Sequence, residues 1–179
     1  GLGLGCHGKL DLLLEPVAPG RPPEHLGFLV EAAAHRRAAA IATLFDTGGD
    51  PALALGARLM LGADGRAAGR LLHGRLGAAV HQEARAALAH RRSRLCRHRV
   101  AGGEAEVLLE YVPPPIALVV CGGGRDTGPL ARLAAELGWR VTLLARDEMP
   151  SGLDDRTAAV VMSHIYERDL ALLAAVLPS

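Results

Sequence analysis

The sequence predicts an α/β protein in two parts, an N-terminal α+β domain followed by a partial Rossmann-type domain built on a parallel sheet. Three observations carry that prediction. Residues 116–145 read as strand, glycine turn, helix and second strand, the opening unit of a nucleotide-binding fold. Pro113, Pro114 and Pro115 form a stiff break, which divides the chain into 1–112 and 113–179. Upstream of that break, strand and helix patterns alternate with an Asp-Gly hairpin cue at Asp64–Gly65.

Composition allows such a fold. The chain has 179 residues, enough for one full domain or two small ones, and half of them are hydrophobic. Aromatics make up only 3%, so aliphatic side chains must fill the core. A net charge of +1 supplies no global attraction for nucleic acid, and none is expected as a partner. Cys6, Cys96 and Cys121 make neither a disulfide framework nor a C-x-x-C zinc pattern, which points to a reducing, cytoplasmic compartment. No run of about 18 apolar residues exists, so no membrane span is expected. The opening GLGLGCHG lacks a start methionine and a signal-peptide layout, and the chain is expected to begin mid-domain.

The elements follow in order. Gly3, Gly5 and Gly8 make a loop, and Leu10 to Leu14 read as a strand stopped at Glu15–Pro16. A proline-rich turn spans 18–23. A helix is expected over 24–37, its end carrying His35, Arg36 and Arg37. Residues 38–45 read as a strand and 47–51 as a loop. The hairpin runs from Ala57–Leu61 through Asp64–Gly65 to Ala67–Leu72. A helix over 77–91 places Ala78, Val80, Ala84 and Leu88 broadly on one face. Arg85 to Arg99 holds six arginines and two histidines. Without interleaved aromatics to stack bases, this reads as a cationic helix end entering a strand, with Leu95 and Val100 among polar neighbours. Residues 105–112 close the first part as a strand.

In the second part, Ile116–Cys121 is a continuous apolar run suited to a strand buried on both faces. Gly122, Gly123 and Gly124 follow at once. Pro129 suits the first turn of a helix, Leu130, Leu133, Ala134 and Leu137 form its stripe, and Gly138 ends it. Residues 140–145 are the second strand. Glycines let backbone N–H groups approach an anion, and a helix N-terminus adds its dipole. Gly122 and Gly124 meet the G-x-G spacing, but Thr127 holds the third glycine position. An NAD site also needs an acid at the end of the second strand to read the ribose. Ala145 stands there, Asp147 comes two residues late, and Asp126 in the turn would repel a pyrophosphate unless Arg125 or a cation offsets it. The residues therefore argue against ordinary NAD use. Thr157 to Ser163 is a further strand, whose end with His164 should lie beside the glycine turn, and 167–177 is a helix. Asp154–Asp155 reads as a turn pair. Three parallel strands are few for this fold, which is expected to be cut short at Ser179.

The motifs together resemble one family. Gly3-Leu4-Gly5-Cys6-His7-Gly8 with Glu15–Pro16 is similar to the GLGCGG…EP segment of the XdhC/CoxI family, with His7 for a glycine. Gly122 to Pro129 is similar to its GAGHDAxP turn, Arg125 replacing a histidine and Asp126 matching. Thr157 to His164 resembles its TxVVVMTH strand, with Ser163 for threonine, and Arg168–Asp169 match its helix start. The second strand departs, ending Leu144–Ala145 where the family has Val-Asp, and only Arg146 to Arg156 precede the TxVVVMTH segment. The resemblance thus implies a fragment or a degenerate member.

That resemblance implies an accessory protein of molybdenum hydroxylases, such as xanthine dehydrogenase. Such a protein binds molybdenum cofactor (molybdopterin), supports its sulfuration by a cysteine desulfurase and helps insert it into the apoenzyme, with no turnover of its own. A homodimer is among the expected partners. The cofactor-binding residues implied are Gly122, Gly123, Gly124, Arg125, Asp126, Cys6, Ser163 and His164, with Cys6 as a contact to molybdenum or transferred sulfur. For Cys6 the plain alternative is an inert loop thiol, and for His164 a satisfied loop histidine. Cys121 reads as a small buried hydrophobe and Cys96 as structural. An NAD(P)-dependent oxidoreductase and a degenerate interaction protein are the rival readings. No G-x-S-x-G elbow, P-loop or carboxylate pair supports an enzyme.

Overall fold

The computed structural model describes residues 12–145 and 148–177. The chain divides into two compact units, Gly1–Pro113 and Pro114–Ser179.

The first unit is α+β. Its helices are α1 (Glu24–Ala34) and α2 (Gly74–His90), and its strands are β1 (Ala39–Asp46), β2 (Arg58–Gly62), β3 (Ala67–Ala68), β4 (Arg94–Val100) and β5 (Gly103–Val112). The strands form one antiparallel sheet in the order β3-β2-β1-β5-β4. The small, apolar sequence of β1 suits its central place, where six consecutive residues are buried. Alternation sends Ala40, Ala42 and Leu44 to one face, where they join Leu59, Leu61, Val107 and Leu109. Gly77, Val80, Ala84 and Ala87 of α2 are its buried positions, and Val80, Ala84 and Ala87 pack into that core. Gly77 must lack a side chain, because a Cβ there would meet the Leu71 carbonyl at 2.5 Å.

Several expectations need correction. Leu12 to Leu14, the described part of the first expected strand, form no strand, and Leu12 and Leu14 are exposed. A strand needs a partner edge, and Leu12 to Leu14 pair with none of the strands of the sheet. The second arm of the hairpin shrinks to Ala67–Ala68, because Gly69 turns at φ 109° into a short 3-10 turn over Arg70–Leu72. Helix α1 stops at Ala34, where His35 Nδ1–H donates to the Glu31 carbonyl (2.9 Å) and Arg36 turns to φ 49°. Helix α2 begins at Gly74, and its buried face runs through Ala87, leaving Ala78 exposed. In β4 the inward set is Cys96, His98 and Val100, so Leu95 faces out. The basic stretch does run from a helix end into a strand. Glu83 of α2 pairs with His98 (3.1 Å) and Arg94 (3.8 Å), and Glu106 of β5 pairs with Arg97 (2.8 Å).

The second unit carries β6 (Ala117–Cys121), α3 (Thr127–Glu136), β7 (Arg140–Leu144), β8 (Thr157–Val161) and α4 (Tyr166–Val176). Its sheet is parallel, in the order β7-β6-β8. This is the partial Rossmann-like arrangement the sequence predicts. Strand β6 is buried on both faces, as its unbroken apolar run requires. Leu118 and Val120 pack with Ala134 of α3, while Val119 and Cys121 pack with Leu172 of α4. The α3 stripe differs from expectation. Thr127 and Ala134 are buried, whereas Leu133 and Leu137 are 67% and 70% exposed. The end of α3 is as expected: Gly138 at φ 75° donates to the Ala135 carbonyl, and Trp139 donates to Ala134. Asp154 makes the expected turn, accepting from Arg156 N–H and the Thr157 hydroxyl.

Candidate functional site

The parallel pairing brings two loops together at the carboxyl ends of the strands. Cys121 is opposite Val161, and Met162 N–H donates to the Cys121 carbonyl at 2.9 Å. Gly122 therefore runs directly against β8's continuation, where a Cβ would come within 2.5 Å of the Met162 carbonyl oxygen. Gly124 is crowded by side chains alone: a Cβ there would displace the exposed Asp126 carboxylate and lie 3.5 Å from His164 Nε2. Gly123 meets nothing within 4 Å, so its backbone is open. Thr127, in the third glycine position, is buried and ties its hydroxyl to the Gly124 carbonyl (2.8 Å), closing the turn onto α3.

The opposite loop is held from α4. Asp169 Oδ1 accepts both the Ser163 N–H (3.0 Å) and the Ser163 hydroxyl (2.5 Å). Ile165 N–H donates back to Ser163 Oγ (3.3 Å). His164 takes a left-handed φ of 59° between them, a conformation that a non-glycine residue holds only when its neighbours are anchored. Its Nε2 lies 3.4 Å from Asp126 Oδ2, linking the two loops through side chains that are 66% and 51% exposed. At that exposure the contact contributes little energy, although a protonated His164 would offset the Asp126 charge.

Between the loops lies a cleft of about 440 Å³, lined by Gly122–Gly124, Leu144–Ala145, Ser163–Ile165 and Arg168. It sits where the chain leaving β6 for α3 and the chain leaving β8 for α4 part to opposite faces of the sheet, the position at which open α/β sheets take their ligands. Its volume falls in the ordinary range for small-molecule sites, about 300–1,000 Å³. Both α3 and α4 begin within three residues of the lining, so two positive helix ends border it.

Of the cofactor-binding residues implied by the sequence, five line this cleft: Gly122, Gly123, Gly124, Ser163 and His164. Asp126 stands beside His164 behind the lining, and Arg125 is exposed outside it. Cys6 and Asp147 lie outside the described residues. Cys121 is fully buried below the glycines, and burial pushes its thiol pKa up. Cys96 is buried in the other unit, where burial first and a hydrogen bond to Glu83 second push its thiol up to about 11. Among the described residues, no three His, Cys, Asp or Glu side chains gather as a metal-binding group.

Four contributors were not among the cofactor-binding residues that the sequence implied. Thr127 anchors one loop and Asp169 the other. Half-buried Arg168 reaches across the cleft, its Nη2 donating to the Ala145 carbonyl (3.2 Å) and, more weakly, to that of Glu148 (3.5 Å). Glu148 folds back so that its carboxylate accepts from Ala145 N–H at 2.8 Å, outside the lining. The match of Arg168–Asp169 to the family's helix start was the only signal for that pair, because helical periodicity does not report contacts backward across a loop.

With this geometry in view, two family models match the chain. One described as the XdhC and CoxI family matches residues 32–99, and one described as the XdhC Rossmann domain matches residues 118–179. Among solved structures, the chain is similar to one described as a xanthine dehydrogenase from Bacillus halodurans. The identity is 12%, 84% of this chain and 78% of that chain are covered, and the TM-score is 0.38. No curated protein matches. No helix among the described residues is long and apolar enough to cross a membrane.

Proposed function

Because this chain belongs to the XdhC and CoxI family, whose members serve in general as accessory proteins of molybdenum-cofactor systems, we propose that it binds that cofactor as cargo and hands it to a molybdenum hydroxylase apoenzyme such as xanthine dehydrogenase. In this reading it performs no turnover. A cysteine desulfurase supplies sulfur to the cargo, the protein works in the cytoplasm, and two copies associate.

The observation that supports this reading is the cleft. It joins the open backbone of Gly123, the cation of Arg168 and the imidazole of His164 in one ligand-sized space within the stretch matched as the XdhC Rossmann domain. These residues fit the organic, phosphate-bearing part of a pterin cofactor. Gly122–Gly124 would face the phosphate, and Ser163 and His164 would border the rest, with Arg125 and Asp126 adjusting charge at the rim. Cys6 would approach the reactive end.

The rival reading is an NAD(P)-dependent oxidoreductase, favoured by the strand–glycine–helix unit itself. Ala145 disfavours NAD, because among the described residues no carboxylate lines the cleft to accept from the ribose hydroxyls. One experiment separates them. The chain is purified from a host that makes molybdenum cofactor, oxidised and assayed for pterin fluorescence, beside a titration with NADH. Co-purifying pterin with weak NADH binding is the expected result. Tight NADH binding without pterin overturns it, and no ligand of either kind leaves an interaction protein that has lost its cargo site.

A further inference from the structure

Arg168 is an unusual group to find lining a cleft. It is half-buried, and among the described residues no carboxylate pairs with it. Its partners are two neutral carbonyls, one of them at the limit of hydrogen-bond distance. A guanidinium partly removed from water without a counter-ion forgoes solvation that such contacts restore only in part. The planar fork retains donors suited to two oxygens of one anion.

Its position carries the argument further. Where an NAD site places a carboxylate at the end of the second strand, this chain has the methyl group of Ala145. Arg168 Nη2 is 3.2 Å from that residue's carbonyl. The Glu148 carboxylate is engaged by Ala145 N–H and does not line the cleft. Among the described residues, a cation thus stands where the usual acceptor of ribose hydroxyls would be. A hydroxyl pair gains little from a cation, whereas a phosphate monoester carries a charge of about −1.5 to −2 at neutral pH.

We propose that Arg168 is the specificity-determining residue of this cleft, selecting ligands that present a phosphate monoester beside the end of β7 over ligands with free hydroxyls there. This rests on the cleft being the ligand site. The same chemistry occurs in a phosphorylated pterin and in the 2′-phosphate of NADPH, and the test keeps the two apart.

Two ligand pairs are titrated against the full chain: NADPH with NADH, and the oxidised phosphorylated pterin with its phosphatase-treated product. In at least one pair the phosphorylated member should bind roughly tenfold more tightly, the worth of one charge-assisted contact. R168Q should bring that pair to about the same affinity, and R168K should retain part of the difference. The preference should weaken with added salt. Equal affinities within both pairs of the unmodified chain, a preference that survives R168Q, or no binding of any of the four overturns the proposal. The comparison within the unmodified chain does not depend on any variant folding. Selection confined to the nicotinamide pair supports Arg168 as phosphate reader while removing the cargo reading. Co-purifying pterin with equal affinities within both pairs does the reverse.

Discussion

At the scale of single residues, chemistry follows surroundings more than residue type. Cys96 and Cys121 have the same thiol, and in both burial favours the neutral form. The thiolate is the reactive species, and with the Cys96 value near 11 almost none is present at neutral pH. A thiol reagent at pH 7.5 should therefore leave Cys96 and Cys121 unmodified in the folded chain and label both after denaturation, as peptide mass spectrometry would read. Rapid labelling of either in the native protein contradicts their placement. Arg168 shows the same dependence from the other side, since it is a candidate reader of anions only because its neighbours among the described residues give it carbonyls and no carboxylate.

At the scale of elements, two glycines in the same βαβ unit serve different needs. Gly138 holds φ 75° with nothing within 4 Å of a built Cβ, so only backbone strain opposes a side chain. Gly122 lies outside the left-handed region, yet a Cβ would strike the Met162 carbonyl. G138A should cost about 1 kcal/mol, and G122A about 2–3 kcal/mol because β8 must shift, measured by denaturant unfolding. Only G122A should also disturb ligand binding, since Gly122 lines the cleft. Equal costs would mean that the approach of β6 to β8 is looser than described. The sequence announced both glycines, but not this difference. A strand-to-helix change in periodicity is visible along the chain, while the distance to a strand some 40 positions later is not.

For the molecule as a whole, the first unit has an acid-sensitive cluster. Arg58 hydrogen-bonds both carboxylate oxygens of Glu15, which holds the Glu15 pKa below its ordinary 4.5. Burial first, then the charge of Arg58, lowers His25 below its ordinary 6.5. In the turn after β2, Asp64 is lowered by the Arg66 backbone N–H and by Arg37. The signs agree. His25 takes up a proton more readily when unfolded, so stability falls as the pH drops below 6.5. The stabilisation from Glu15 and Asp64 is present above their ordinary values and lost as the pH falls through their lower folded ones. Denaturant unfolding between pH 7.5 and 3.5 should show stability declining in two stages. H25Q should flatten the upper stage. E15Q should flatten part of the lower one and cost at most about 1 kcal/mol at pH 7, because the pair is partly exposed. A profile independent of pH would show that these contacts do not persist in solution.

The order and kind of most elements follow from the sequence by itself. Local causes set them: a mainly apolar run for β1 and an unbroken one for β6, the Asp-Gly turn, glycine at the end of α3, and the proline break between the units. The face each residue presents was settled by tertiary packing. Leu95, Leu133, Leu137 and Ala78 turn outward because the sheet, and not the hydrophobicity of the segment alone, chooses which side of an element is covered. The glycine turn was legible because its residues are consecutive. Its partners Ser163, His164 and Arg168 become a site only when parallel pairing of β6 with β8 closes some 40 residues of chain into one cleft. Short-range sterics are written in neighbouring residues, but the position of a cation across a cleft depends on every contact that folds the chain back on itself.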